Sequence, residues 1–346
     1  MHGWITQLAP AAGAVGAGFA SGREAAAFFA PYGGWGLVAI PLVVLLVGQA
    51  ASRPPRPLPA PLRSVGLLLL WTTLAATLAA GGEILSHLAG WSAPVGAAGL
   101  GVLAAVLPGQ AGTRRTQAVT VLLLAGAILL VGGAAGARPG SGAAKADRWA
   151  ALPGIANVEA APWPEALAIL APVGAFRRES GGALPPPLAA TLAAVLYASY
   201  TSALVAGGMP DEPRGGGAWP AAALIGALLA VMVIALHRSP VVREAALPML
   251  ALAADQGARF AKAYAYLLGA AAANAAVANA RALGDSLAGL LGGPTMARWV
   301  AVLLAWAASA LGFARLVGTV YPLLGWAWLP ALLGQGRPCT PHKQGI

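Results

Sequence analysis

Ten stretches of this chain are apolar over nearly the length needed to cross a bilayer, and that repeated pattern leaves few folds open. A crossing takes about 20 mostly apolar residues, within a range of about 17 to 25. The expected spans are Trp4–Phe29, Gly34–Ala51, Val65–Leu88, Pro94–Pro108, Gln117–Ala135, Leu188–Met209, Trp219–Leu236, Ala261–Leu283, Arg298–Leu311 and Leu316–Leu333. The fourth is short and glycine-rich, and the edges of the last two are the least sharply marked. Only 9% of the 346 residues are charged and 58% are hydrophobic; a soluble domain carries about 25% charged residues. Most of the surface therefore faces lipid. The expectation is an all-α integral membrane protein of about ten transmembrane helices.

Several classes fall away on the same pass. The single cysteine, Cys339, sits in the polar C-terminal tail and leaves no disulfide framework within the chain. The net charge of +10 is not gathered on a soluble basic module, as nucleic-acid binding requires. The N-terminus has no basic region before Ile5 and no cleavage site leading into a soluble domain, so it reads as a true first span. Gly16-x-Gly18-x-x-x-Gly22 lacks the strand and βαβ setting of a dinucleotide loop. No Cys/His metal cluster, Walker loop or nucleophile elbow appears, and no cofactor is implied.

Charge in the short connections predicts orientation. Arg53, Arg56 and Arg63 lie between the second and third spans, and Arg114 and Arg115 between the fourth and fifth. Gly90 to Ala93, between the third and fourth, holds no Lys or Arg. Positive residues mark the cytoplasmic side, so both termini are expected inside. The second half follows the rule less cleanly, with Arg238, Arg243, Arg259 and Lys262 outside. Val241 to Gly257 is too polar to cross and apolar enough to lie on a surface, and is expected to cap the outer face between the seventh and eighth spans. Ala161 to Phe176, in the polar connection, reads as a similar surface helix.

The first span carries Gly16, Gly18 and Gly22 within seven residues. Each glycine weakens a helix by about 1 kcal/mol relative to Ala. Irregular backbone at membrane depth is tolerated only where it faces protein or a watery cavity, so a functional break is expected here. Arg23 and Glu24 follow directly, and the sequence then turns apolar again through Phe28 and Phe29. Glu24 is thus expected to head a second half-helix, where the dipole favours a carboxylate; the alternative is that the span ends there and both residues are solvated. In the sixth span, Tyr197-Ala-Ser-Tyr-Thr-Ser202 places five hydroxyl side chains in six residues, ahead of Gly207 and Gly208. It reads either as a second break or as a helix with a polar inner stripe. Breaks five spans apart point to an inverted-repeat transporter with its site at the repeat interface.

Other polar residues stand inside apolar segments. Glu83 and His87 are four apart in the third span and share a face. An acid at membrane depth costs about 2.5 to 3.5 kcal/mol on insertion scales, so the pair is a candidate for ion coupling or gating; the alternative is that Glu83 reaches the headgroups. Asn274 and Asn279 in the eighth span either bond neighbouring helices or give carbonyl oxygens to a cation. Five residues separate them by about 140° on a helix, which makes one shared ion difficult.

The segment GAVGAGFASGREAAAFFAPYGGWG resembles the N-terminal signature of the YkvI-like bacterial membrane proteins, distant members of the amino acid–polyamine–organocation superfamily. LYASYTSALVAGGMP, REAALPMLALA and LGFARLVGTVYPLLGW are similar to its sixth span, the segment before its eighth, and its tenth. The resemblance implies a LeuT-type fold in a bacterial cytoplasmic membrane: two inverted five-helix repeats, at about 4–135 and 188–333, around broken helices one and six. A polar connection covers about 136–187 and a short tail 334–346. It further implies that Gly16, Ala17, Gly18, Ala20 and Ser21 offer backbone groups to a solute from helix one. Tyr197, Ser199, Tyr200, Thr201 and Ser202 would do so from helix six. Sodium-coupled relatives hold their cation between helices one and eight. Here that part of helix eight reads Ala273-Asn274-Ala275, without the family's hydroxyls, which shifts weight to a proton carried by Glu24 or Glu83.

The expected function is secondary transport of a small polar solute, an amino acid or amine among the candidates, coupled to H+ or Na+. Two alternatives stand beside it. One is a solute-sensing receptor subunit that binds without transporting. The other is an intramembrane hydrolase resting on Ser21 and His87, in which Phe19 stands where such proteases carry a glycine.

Overall fold

In the computed structural model the described residues are 16–52, 59–107, 113–137, 185–207 and 218–334, and among them all regular structure is helical. The chain opens with a broken pair, α1 (Ala17–Ala20) and α2 (Arg23–Phe28), followed by a single 3-10 turn over Ala30–Tyr32. Long helices come next: α3 (Gly34–Ser52), α4 (Ala60–Ala89), α5 (Ala93–Val106) and α6 (Thr113–Ala137). The second half holds α7 (Pro186–Gly207), α8 (Ala218–His237), the short α9 (Pro240–Arg243) and α10 (Pro248–Gln256), then α11 (Ala258–Leu287) and α12 (Pro294–Ser309). It ends in α13 (Phe313–Arg315), a π-helical turn over Leu316–Val320, and α14 (Tyr321–Gly334).

Each apolar stretch from the second to the tenth carries a helix, with edges within about five residues of those expected. Gly34–Ser52, Ala60–Ala89, Pro186–Leu204, Trp219–His237 and Phe313–Leu333 are long and apolar enough to cross a membrane, and shorter apolar helices cover Ala93–Val106 and Val119–Ala135. This is the build of a multi-pass membrane protein. Residues 4–15 of the first stretch, and the expected surface helix at 161–176, lie outside the described residues.

The ends of the helices follow from local chemistry. Pro59 precedes α4, and Pro61 sits in its first turn, where a missing N–H costs nothing. Gly90 closes it in the left-handed region, returning its N–H to the Ser86 carbonyl at 3.0 Å. Thirty residues make α4 about 45 Å long, more than a hydrocarbon core of about 30 Å. It is the central post: α5, α11, α12 and α14 pack against it, while α7 lies between α3 and α14. Small residues let these helices close up. A Cβ added at Gly325 of α14 would stand 2.8 Å from the Leu196 carbonyl oxygen of α7, so the two backbones touch only because that atom is missing.

The sixth span departs from expectation. No break occurs at Tyr197–Ser202; α7 runs unbroken from Pro186 to Gly207. Its hydroxyls explain why. Ser202 Oγ donates to the Ser199 carbonyl at 2.7 Å, and Ser199 Oγ donates to the Gly325 carbonyl at 2.8 Å. They decorate an intact ladder and bind the neighbouring helix, forming the polar inner stripe. Gly208 lies outside the described residues.

Candidate functional site: a buried carboxyl between a broken helix and a tyrosine face

The break in the expected first span falls at Ser21 and Gly22. Gly22 has φ +78°, a left-handed conformation that costs an L-residue about 1–2 kcal/mol and glycine almost nothing. The turn frees backbone groups that other parts of the protein take up. The Tyr264 hydroxyl of α11 donates to the Ala20 carbonyl at 2.6 Å, and the Met249 N–H at the head of α10 donates to the Ser21 carbonyl at 2.8 Å. Ser21 Oγ donates to the Gly18 carbonyl at 2.8 Å and accepts the Arg23 N–H at 3.2 Å.

Arg23 and Glu24 point to different partners. Arg23 is not solvated in the manner of a span end. Its Nη1 reaches the carbonyls of Arg243, Glu244 and Ala245 at 3.3, 3.4 and 3.2 Å, pinning the turn between α9 and α10 over the break. The capping segment expected at Val241 to Gly257 is thus clasped to the first span, and residues 248–253 of α10 are buried.

Glu24 turns inward and is 2% exposed. Its carboxyl folds back over α1, filling the space where a Cβ on Gly18 would stand. Oε1 accepts a hydrogen bond from the Tyr200 hydroxyl of α7 at 3.2 Å. Oε2 is buried with no hydrogen-bond partner among the described residues, as are Tyr197 Oη and Thr201 Oγ1 on the same face of α7. Buried polar atoms are nearly always paired, and each exception asks for an explanation.

Aromatic rings wall the carboxyl. Phe28 and Phe29 meet Tyr197 edge-on at centroid distances of 5.5 and 5.3 Å, and Tyr200 stacks on Tyr321 at 4.5 Å. Tyr321 begins α14 directly after the π turn, beside Thr73 of α4. A π turn inserts an extra residue into a helix and re-aims the side chains beyond it; such turns gather at functional sites. The residue-by-residue reading of the sequence singled out neither Tyr321 nor Tyr264. Their signal was there: two buried tyrosines in apolar spans, each needing a hydroxyl partner.

The candidate residues therefore divide. Gly18, Ala20, Ser21, Gly22, Glu24, Tyr197, Tyr200 and Thr201 come together around the break, with Ser199 and Ser202 on neighbouring turns of α7. Gly16 lies at the α11 contact, where an added Cβ would stand 3.7 Å from the Ala275 methyl; Ala17 begins α1. Glu83 and His87 have no hydrogen bond to this cluster. Glu83 is half-buried and lies ten residues, about 15 Å along the axis, from Thr73. Asn274 bonds a neighbouring helix, its Nδ2 donating to Thr120 Oγ1 of α6 at 2.9 Å. Asn279 is half-buried on α11.

A sodium ion between the first and eighth spans fits this arrangement poorly. A hard cation asks for several oxygen ligands. Among the described residues, the contact there offers the Ala275 methyl and an Ala20 carbonyl already bonded to Tyr264. The Ser21 hydroxyl, engaged with Gly18 and Arg23, is not set against His87 as a hydrolase dyad requires. No protein-family model matches this sequence, and no curated protein matches it.

Proposed function

We propose that this protein is a secondary transporter that moves a small polar solute, an amino acid or amine among the candidates, by alternating access. One observation carries the reading. The first span is broken at Ser21–Gly22, and beside the break a buried carboxyl, Glu24, faces an unbroken polar stripe on the sixth span. Interrupted helices with ionisable groups at membrane depth mark solute and ion pathways. The proposed frame is the LeuT-type arrangement of ten spans in two inverted repeats, which the YkvI-like signature implies. It is proposed with one break rather than two, in a bacterial cytoplasmic membrane with both termini inside. Solute would lie between the first and sixth spans. The described conformation has its break capped by Tyr264 and Met249, so loading requires those contacts to part.

The test is uptake of a labelled amino-acid and amine panel into proteoliposomes under imposed proton or sodium gradients. Accumulation above equilibrium that collapses with the gradient supports the reading. A panel that binds by thermal shift without flux supports the sensing alternative instead.

A further inference from the structure

We infer that the coupling ion is a proton, that Glu24 carries it on Oε2, that Tyr200 holds the carboxyl in both states and that Tyr197 receives its O–H when it is protonated. This rests on the transport reading and names the ion for the same site. The argument starts from an imbalance. Glu24 is a carboxyl within the proposed first span, 2% exposed, and one hydrogen bond reaches it from the described residues. A carboxylate in such a place needs a countercharge or a proton.

Among the described residues, the groups facing it supply no countercharge. On α7 these are the Tyr197 and Tyr200 hydroxyls, on α14 Tyr321, and on α11 Tyr264, whose hydroxyl is spent on Ala20. Arg23, next along α2, sends its guanidinium to the carbonyls of residues 243–245. His237 of α8 lies against Gly33, and Asp255 of α10 is six residues, about 9 Å along the axis, beyond Met249. The missing positive charge is therefore a ligand.

Room decides which ligand. The rings around the carboxyl sit 4.5 to 6.4 Å apart and are almost wholly buried. The Ala20 and Ser21 carbonyls that a metal ion would recruit are already bonded. A proton needs no cavity and no coordination shell. Placed on Oε2, it converts an unpaired acceptor into a donor. Tyr197 Oη and Thr201 Oγ1, buried and unpartnered on the same face of α7, are the oxygens that can receive that O–H and relay it. Tyr200 keeps donating to Oε1 in either state. When the clasp of Arg23 and Met249 over the break parts, the proton leaves to water along the opened turn, and the carboxylate it leaves behind is hydrated.

The test reads the carboxyl directly. Infrared difference spectra of the full chain in lipid vesicles are recorded as pH is stepped at fixed sodium, and as sodium is stepped at fixed pH. The expected result is a protonated-carboxyl C=O band that follows pH and ignores sodium. It is absent in Glu24→Gln and shifted in Tyr200→Phe and Tyr197→Phe, with each variant shown monodisperse in detergent. A band that survives Glu24→Gln, or that follows sodium instead of pH, overturns the assignment. Uptake is measured on the same vesicles. Glu24→Gln is expected to lose at least tenfold of gradient-driven accumulation. A Glu24 band without uptake of any panel member keeps the proton site and overturns the transport reading.

Discussion

At the scale of single residues, two glycines and one acid define the site. Gly18 leaves room for the Glu24 carboxyl, so Gly18→Ala must displace it. Overpacking of this kind costs about 1–3 kcal/mol, and the expected outcome is at least a tenfold loss of uptake with lowered thermal stability in detergent. Gly22→Ala forces an L-residue to φ +78° with its Cβ 2.6 Å from Met249 Cγ. About 2 kcal/mol of destabilisation is expected from the left-handed penalty and the clash together, measured as a lowered unfolding midpoint. Clustered glycines mark where a helix is weak, so the break was legible in the sequence. Which neighbours take up its carbonyls was not, because Met249 and Tyr264 are more than 220 residues away along the chain and nothing local ties them to Ser21 and Ala20.

Elements obey a different balance. Five hydroxyls in six residues of α7 read as a second break, with a polar stripe as the alternative, since hydroxyls serve both freed backbone and neighbouring helices. Packing chose the stripe, because α14 brings its backbone close enough for Ser199 to reach Gly325. The contact predicts an ordered pair of effects. Ser199→Ala loses one hydrogen bond and costs about 1 kcal/mol, whereas Gly325→Leu must drive α7 and α14 apart and costs clearly more. Comparing the thermal midpoints of the two variants checks the order. The clasp between α2 and the α9–α10 turn yields another outcome. Arg23→Gln is expected to speed amide exchange through residues 243–250 while leaving α4 protected, read by hydrogen-exchange mass spectrometry in detergent.

On the scale of the whole molecule, the arrangement across the membrane can be probed with the chain's own chemistry. Cys339 is its single cysteine. If basic short connections set the orientation, a membrane-impermeant maleimide labels Cys339 only after intact cells are permeabilised. Labelling in intact cells reverses the topology, and with it the side from which the Arg23 clasp opens.

The sequence by itself determined that this chain is helical and where each helix of its second to tenth apolar stretches lies. Length and apolarity are local properties, and hydrocarbon forces every buried backbone group to find its partner within the helix. It also located the weak point at Gly16 to Gly22. Only the tertiary structure decided that the sixth span stays whole, that Tyr321 follows a π turn onto Tyr200, and that Glu24 rather than Glu83 meets the tyrosine face. Both acids looked alike in sequence, each a carboxylate in an apolar run. Their difference lies in what surrounds them, and those surroundings are built from helices far apart along the chain.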